Sequence, residues 1–259
     1  MKVSIITIVY NNQTCIADCI ESVLAQSYPD IEHIVVDGSS TDGTQQIIEK
    51  YRDRLAVYVS EPDKGLYDAL NKGIRLSTGD IVAILHSDDL LYESTTIAKV
   101  VQKFEDSKAD LIYANGMYVT RNEIKQVKRI YKAKDWRRSS LNFGWIPLHT
   151  TIYVKREIYF RYGLYDDRYS IASDYDISIR WFKNSSITKV FLNEWVVRMR
   201  LGGKSTSPHL QKRKSTEDLA IIRRHELSGF FTLFCKIGRK VPQYVIPRLS
   251  RVEQRPVSN

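Results

Sequence analysis

The feature that most constrains the fold is a run of five apolar residues, 81–85, that stops abruptly at His86, Ser87, Asp88 and Asp89. An uninterrupted apolar run of this length predicts a strand that is buried on both faces of a parallel sheet. In open parallel sheets, ligands bind beyond the carboxyl ends of the strands. Because adjacent carboxylates repel each other, such a pair favours a divalent cation and a phosphate between them. Capping of the next helix is the alternative role for these polar residues.

Two further segments repeat this arrangement. Residues 34–36 are apolar and lead to Asp37 and a turn of small residues, and residues 3–9 lead to Tyr10 and Asn11. A helical pattern follows each of them. Since the carboxyl ends of parallel strands meet at one edge of a sheet, polar side chains from three strands converge there. One such strand end is explained by capping, but three together indicate a binding site.

The alternation of strand and helix patterns predicts an α/β fold with a mostly parallel sheet flanked by helices. Strands are expected at 3–10, 32–37, 56–60, 81–86 and 110–114, and helices at 14–26, 43–53, 66–76 and 93–105. They are followed by a hairpin at 117–132, an ordered loop at 133–148, a strand at 150–154, helices at 155–161 and 174–184, and two short strands at 187–192 and 195–200. With 259 residues and 43% apolar content, the chain can bury one good core.

The C-terminal region differs from the rest in charge. Residues 198–259 contain 14 Lys and Arg but only 4 Asp and Glu, whereas the whole chain has a net charge of +9. They also carry an apolar cluster at Phe230, Phe231 and Phe234. A basic, amphipathic helical tail of this kind is typical of segments that lie on an anionic membrane surface. Docking on the chain's own core, or an oligomer contact, is the alternative.

No signal peptide precedes the first strand, and no window reaches the ~18 uninterrupted apolar residues that a spanning helix needs. We therefore expect a cytoplasmic protein that associates peripherally with the inner face of the cell membrane. The expected organisation is a catalytic domain, 1–205, with a nucleotide-binding half, 1–115, and an acceptor half, 116–205, followed by a tail, 206–259.

Several motifs follow one another along the catalytic domain: 4–11 (SIITIVYN), 36–44 (VDGSSTDGT), 61–73 (EPDKGLYDALNKG), 79–80 (GD), 87–89 (SDD), 162–166 (YGLYD) and 173–180 (SDYDISIR). In order and spacing they resemble the family 2 glycosyltransferases, and among these the bacterial enzymes that build surface polysaccharides, such as colanic-acid transferases. The resemblance covers residues 2–205. It implies a GT-A-type, Rossmann-like fold and an inverting transfer of sugar from a nucleotide-diphosphate donor, UDP-linked, to a glycan or lipid-linked glycan.

The resemblance also implies which residues bind the nucleotide of the donor. Tyr10 is expected to stack on the base, the backbone of Ile8 and Val9 to bond its edge, and Asp37 to accept from the uracil N–H. A core position for Tyr10 and a turn-capping role for Asp37 are the alternatives.

Further donor contacts are expected from Lys64, Asp68, Ser87 and Arg200. Lys64 precedes a helix, where it can counter phosphate charge, although a solvated surface lysine is an equal alternative. Arg200 replaces a metal-binding histidine that many relatives carry near a mobile loop. A guanidinium cannot ligate an ion, but it can pair with a diphosphate.

For the metal, Asp88 is expected to bind Mn²⁺ or Mg²⁺ together with the diphosphate, and Asp89 to assist it or cap the helix. Many family members have a third acid where this chain has His86. This departure predicts weaker metal affinity or a preference for Mn²⁺.

For catalysis, Asp174 occupies the position of the family's general base, although the usual Glu before it is Ser173 here. A helix N-terminal carboxylate is the alternative. Asp176 is expected to make a structural salt bridge. His149 and Trp145 lie in a loop that is expected to flank the acceptor, and a structural role for the histidine is the alternative.

Other functional classes fit less well. A non-catalytic nucleotide-sugar-binding module does not need Asp174. A sugar-phosphate nucleotidyltransferase typically carries a glycine-rich basic loop after its first strand, and residues 10–13 contain none. The dinucleotide fingerprint of an oxidoreductase is absent. No nucleic-acid partner is expected, because the basic tail contains no recognisable nucleic-acid module.

Overall fold

The structure is a computed structural model that describes residues 1–202 and 210–249. The strands within these residues are β1 (Val3–Val9), β2 (Ile31–Asp37), β3 (Val57–Ser60), β4 (Ile81–Ile84), β5 (Leu90–Leu91), β6 (Leu111–Val119), β7 (Val127–Tyr131), β8 (Ile152–Lys155) and β9 (Lys189–Arg200). The helices are α1 (Ile16–Leu24), α2 (Thr44–Glu49), α3 (Leu66–Leu76), α4 (Thr96–Ser107), α5 (Arg156–Tyr162), α6 (Ser173–Lys183), α7 (Gln211–Arg224), α8 (Gly229–Gly238) and α9 (Lys240–Leu249).

The strands form one sheet in the order β3-β2-β1-β4-β8-β6-β9-β5, with β7 paired to β6. The first four strands in this order are parallel, and their register places Val9 beside Asp37 and Asp37 beside Ser60. The carboxyl ends of β1, β2 and β3 therefore lie level at one edge, as the sequence predicts.

The other half of the sheet is mixed. β8 runs antiparallel to β4 and β6, β9 runs parallel to β6, and β5 and β7 are antiparallel to their partners. Six of the nine strands in the described part of the chain thus point the same way. The predicted α/β fold, with a mostly parallel sheet flanked by helices and a helical C-terminal region, is confirmed.

Three strands differ from the sequence-based expectation. β5 was not expected, and the strand expected at 110–114 continues into the hairpin as the single strand β6. The two short strands expected at 187–192 and 195–200 are a single strand, β9. Polar residues Asn193 and Glu194 interrupt its apolar pattern, and its pairing with β6 shifts register on both sides of Asn115. The irregularity is absorbed within a continuous strand because β6 runs beside β9 along nearly its whole length.

The sheet is buried on both faces, which explains the uninterrupted apolar runs. On one face, Ile6 packs in a cluster with Leu70 and Ile74 of α3. On the other, Ile5 packs in a cluster with Phe104 of α4. Consecutive residues of β1 point to opposite faces of the sheet. Because both faces are buried, apolar residues are favoured on each of them.

The C-terminal helices begin with a helix that docks on the core. Ile221 and Ile222 of α7 are fully buried in a cluster with Tyr175 and Ile179 of α6. The expected boundary between residues 205 and 206 lies outside the described residues. Over 1–202 and 210–249, none of the helices combines the length and apolar character needed to cross a bilayer.

Candidate active site

A cavity of about 640 Å³ opens at the carboxyl edge of the sheet. Its walls come from the ends of β1, β4 and β9, the start of α3, the β6–β7 hairpin and the segment before α6. Most of the site residues expected from the sequence line it: Ile8, Val9, Tyr10, Ser87, Asp88, Asp89, His149, Asp174 and Arg200.

At one end of the cavity, Tyr10 is 64% exposed although it follows a fully buried strand. This exposure excludes the core position that was the alternative for its ring. Beside it, a Cβ on Gly38 would collide with the Asp63 carboxylate, so a side chain there would have to displace its neighbour. An exposed aromatic face on an open wall can stack on a nucleotide base.

Asp37 lies next to this wall but does not line the cavity. It is fully buried, and its carboxylate accepts hydrogen bonds from the Ser40 backbone N–H at 3.1 Å and the Ser60 hydroxyl at 2.7 Å. The structure therefore shows Asp37 organising the turn after β2, and its contact with a base stays a prediction.

Lys64 and Asp68 also lie off the cavity. The backbone N–H of Lys64 donates to the Asp68 carboxylate at 3.0 Å, and Asp68 lies 3.6 Å from the ammonium of Lys72. Their neighbours Asp63 and Gly65 line the cavity instead. The predicted segment therefore reaches the cavity, and the donor contacts of Lys64 and Asp68 stay a prediction.

Asp88 and Asp89 form the acidic floor. Asp89 is almost fully buried: one of its oxygens accepts from the Arg200 backbone N–H at 3.1 Å, and Oδ2 has no hydrogen-bond partner within the described residues. Burial raises the pKa of both carboxyls, and the charge of Asp88 raises that of Asp89 further. A cation would relieve both effects.

These residues fit a divalent ion whose remaining ligands come from elsewhere. The described ranges contain no cluster of three or more His, Cys, Asp or Glu that could hold a metal by itself. Mg²⁺ is commonly bound by one or two carboxylates together with substrate phosphates and water, which is the donor set available at Asp88 and Asp89. His86, at the position of the missing acid, directs its Nε2 to His149.

Arg200 lines the cavity with its guanidinium already engaged. The side chain is 4% exposed and pairs with Asp18, and it donates to the backbone carbonyls of Asp88 at 3.0 Å and Arg121 at 3.1 Å. It therefore ties the β6–β7 hairpin to the acidic floor. Its expected role as a free partner for phosphate is reduced by the ion pair with Asp18.

A chain of hydrogen bonds reaches Asp174 at the start of α6. His86 Nε2 and His149 Nε2 are 2.7 Å apart, His149 Nδ1 lies 3.2 Å from Asp174 Oδ2, and the Tyr67 hydroxyl donates to Oδ1 at 3.2 Å. Burial lowers the pKa of His86 to about 3, so His86 is neutral at physiological pH. With Nδ1–H directed to Asp174, a neutral His149 accepts from His86 at Nε2, whereas a protonated His149 donates to His86 from Nε2.

The Asp174 carboxylate is held ionised by these neighbours. Burial acts to raise its pKa, but the hydrogen bond and charge of His149 outweigh burial and bring the pKa well below its usual value. The side chain is still 32% exposed towards the cavity, so a substrate can reach it. Tyr67 belongs to the 61–73 motif, and its contact with Asp174 has no signal in the sequence.

Two other expectations about this region are settled by burial. Asp176 is fully buried between Arg180 at 3.0 Å and His225 at 2.9 Å, so the predicted structural salt bridge is confirmed. The predicted acceptor contact of Trp145 is wrong. Its ring is 2% exposed and packs edge-to-face on Tyr113, so it belongs to the core and does not contact an acceptor.

The wall beside Asp174 is held by α7. The Glu217 carboxylate accepts hydrogen bonds from the backbone N–H groups of Ser170, Ile171 and Ala172 at 2.9–3.1 Å, and from the Ser170 hydroxyl at 2.8 Å. Ser170 and Ile171 line the cavity. The sequence analysis missed this contact because it joins segments some 45 residues apart.

Comparisons with known proteins identify the family of the chain. The sequence model of glycosyl transferase family 2 matches residues 4–190. A PGL/p-HBAD biosynthesis glycosyltransferase of Mycobacterium bovis is 32% identical over 195 residues, which cover 73% of each chain. An uncharacterized glycosyltransferase of Rickettsia prowazekii is 28% identical over 225 residues, 84% of this chain and 70% of its own.

Solved structures of GT-A glycosyltransferases share the fold. Residues 1–349 of S. aureus TarS match with a TM-score of 0.65 and 18% identity over 87% of this chain and 64% of that chain, and the same fragment has been solved with UDP-GlcNAc. The mannosyltransferase PcManGT from Pyrobaculum calidifontis, in complex with GDP-Man and Mn²⁺, matches with a TM-score of 0.65 and 19% identity, covering 92% of this chain and 73% of its own. At these identities the likeness shows the fold alone. By its sequence and its GT-A architecture, this chain belongs to glycosyl transferase family 2.

Proposed function

We propose that this glycosyltransferase moves a sugar from a UDP-linked donor to a saccharide or lipid-linked saccharide in surface polysaccharide synthesis, with inversion at the anomeric carbon. The observation that carries the proposal is the position of Asp174. Its ionised carboxylate, oriented by His149 and Tyr67, faces the same cavity as the strand-end acids Asp88 and Asp89. A base and a diphosphate site that share one cavity are what a single displacement requires.

In this reaction the acceptor hydroxyl attacks C1 of the donor sugar while the bond from C1 to the diphosphate breaks. Asp174 accepts the hydroxyl proton as the new bond forms. The two hydrogen bonds from Tyr67 and His149 limit rotation of the carboxylate and hold it towards the acceptor. The transition state is oxocarbenium-like, as in glycoside hydrolysis.

Asp88 and Asp89 would hold Mn²⁺ or Mg²⁺ together with the donor diphosphate. The unpartnered Oδ2 of Asp89 and the raised pKa values of both carboxyls support this assignment. When bound, the ion would neutralise negative charge on the leaving diphosphate. The presence of Mn²⁺ in PcManGT supports a metal in a protein of the same fold.

The uridine assignment draws on the TarS complex with UDP-GlcNAc and on the exposed ring of Tyr10. The GDP-Man complex of PcManGT makes GDP-linked donors the second candidate.

The C-terminal helices support peripheral association with the cytoplasmic face of an anionic membrane. An apolar stripe at helical spacing runs along α8 and α9, with side chains 43–76% exposed: Phe230, Phe234, Ile237, Val241 and Val245. The guanidinium of Arg223 lies 5.6 Å from the Phe230 ring centre, at the edge of this stripe. Bases beside exposed aromatic side chains suit the headgroup region of a bilayer. A lipid-linked acceptor would then lie close to the cavity.

A donor screen with and without Mn²⁺, followed by mass spectrometry and by release of nucleoside diphosphate, tests the function. We expect transfer from one class of nucleotide sugar and its loss in EDTA. Binding of nucleotide without transfer to any acceptor would indicate the non-catalytic module. Release of pyrophosphate from a nucleoside triphosphate and a sugar 1-phosphate would indicate the nucleotidyltransferase.

A further inference from the structure

Arg121 is an exposed cation on the cavity wall that the proposed function does not use. It lies in the turn after β6, and its guanidinium donates to Asn12 Oδ1 at 3.2 Å and to the Thr14 hydroxyl at 3.4 Å. Both partners are neutral, and Arg121 makes no ion pair within 4.0 Å inside 1–202 and 210–249. Arg200, by contrast, is paired with Asp18. Two arginines line the cavity, Arg121 and Arg200. Arg121 is the one that has no acidic partner in the described part of the chain, so its charge is available to a ligand.

The position of Arg121 is fixed from two sides. The buried guanidinium of Arg200 donates to the Arg121 carbonyl and anchors the turn to Asp88. On the other side, the amide of Asn12 donates to the Ser87 hydroxyl at 2.9 Å, so the partner of Arg121 is itself tied to the end of β4. The side chain of Arg121 contacts Asn12 and Thr14 in the loop between β1 and α1, and none of its described contacts is with α6.

Arg121 is held close to Asp88. The Arg200 guanidinium donates to the backbone carbonyls of both residues, and Arg121 and Asp88 line the same cavity. A guanidinium matches phosphate geometry with two parallel hydrogen bonds, which a lysine cannot reproduce.

We propose that Arg121 binds the diphosphate of the donor and stabilises the charge that develops on it during transfer. This inference rests on the proposed function. The bond between C1 and the phosphate oxygen breaks, its electron pair stays on that oxygen, the acceptor oxygen bonds to C1, and the acceptor proton passes to Asp174. Arg121 donates hydrogen bonds to the phosphate group that gains the negative charge, so its contribution grows in the transition state.

Three variants test this assignment. Arg121→Gln removes the charge and keeps a hydrogen-bond donor, Arg121→Lys keeps the charge without the planar fork, and Lys125→Gln removes an exposed charge from the same hairpin turn as a control. Calorimetry with UDP, GDP and uridine, in Mn²⁺ and without acceptor, separates diphosphate binding from base binding. Turnover is then measured with the donor found in the screen.

For Arg121→Gln we expect the affinity for the nucleoside diphosphate to fall about tenfold with uridine binding unchanged. We expect kcat to fall roughly 10- to 100-fold, less than for a buried oxyanion donor because the turn is open to solvent. Arg121→Lys should recover part of the loss, and Lys125→Gln should match the wild type.

Equal diphosphate affinity and equal turnover in Arg121→Gln would overturn the role of Arg121 and leave the proposed function intact. Normal diphosphate affinity with a raised KM for the acceptor would also overturn it, because the charge would then serve an anionic acceptor. A wild-type protein that binds neither UDP nor GDP would overturn the proposed function itself.

Discussion

The two sides of the cavity are built in different ways. On the proposed nucleotide side, Tyr10, Ser87 and Asp88 lie just beyond the ends of buried strands, so the parallel sheet brings them together. On the proposed acceptor side, Asp174 and the wall at Ser170 depend on α7, a helix from the C-terminal region. Sheet geometry fixes the first side, whereas contacts between distant segments of the chain fix the second.

This difference implies that the two sides can be perturbed separately. A change on the acceptor side should alter turnover or acceptor binding and leave donor affinity as it is. The tail also has two surfaces, since α7 faces inwards to the cavity wall while α8 and α9 present apolar side chains outwards. The following experiments, from the largest expected effect to the smallest, test this separation.

The largest effect is expected from Asp174→Asn. The isosteric amide cannot accept the acceptor proton, so transfer should fall by roughly the 10²–10⁴-fold that is typical of a positioned base. UDP affinity measured by calorimetry should stay within roughly a factor of two to three of the wild type, because the diphosphate site proposed at Asp88 is left intact. A parallel loss of UDP affinity would show that the two sides are coupled.

The next effect concerns the outward surface of the tail. Replacing both Phe230 and Phe234 with Ser should weaken co-sedimentation with anionic vesicles by roughly 10- to 100-fold. This is about half of what two side chains would give at about 1.5–3 kcal/mol each if fully buried, because rings at a membrane surface are only partly buried. Raised salt should weaken the wild type as well. Phe160→Ser, on exposed α5, serves as the matched control. Unchanged sedimentation would assign the stripe to another partner.

Glu217→Gln tests the inward surface. Hydrogen bonds to a charged group contribute about 1.5–3 kcal/mol, so we expect a loss of about that size in the free energy of unfolding and a roughly tenfold rise in the acceptor KM. Donor affinity should not change. Glu226→Gln, at an exposed position close by, provides the control. An effect confined to stability would limit Glu217 to a structural role.

The smallest effect is a pH dependence on the nucleotide side. Burial in β2 lowers the pKa of His33 to about 3, below the ordinary value of 6.5. As pH falls below 6.5, His33 therefore binds a proton in the unfolded chain but not in the folded chain. The free energy of unfolding decreases as a result. The loss should be about 1 kcal/mol over the first unit below pH 6.5. Chemical denaturation of His33→Gln should show a shallower dependence than the wild type over that interval.

The sequence predicted where strands end and where α6 begins better than the direction in which single side chains point, for a physical reason. An apolar run followed by polar residues specifies both a strand and the position of its tip, so Tyr10 and Asp88 were located correctly. Trp145 was misassigned because it lies in a loop without regular periodicity, and such a loop gives no sign of whether the ring turns inwards. Arg121 and Glu217 act across the fold, and no local pattern predicts a contact of that kind.

The central claim is a single displacement at C1 with Asp174 as the base. It is tested most directly by the anomeric configuration of the product formed from an α-linked nucleotide sugar, read by proton NMR of the new glycosidic bond. We expect a β-linked product, because the acceptor must attack from the face opposite the diphosphate. An α-linked product would contradict a single displacement and remove the role assigned to Asp174, while the fold and the family would stand.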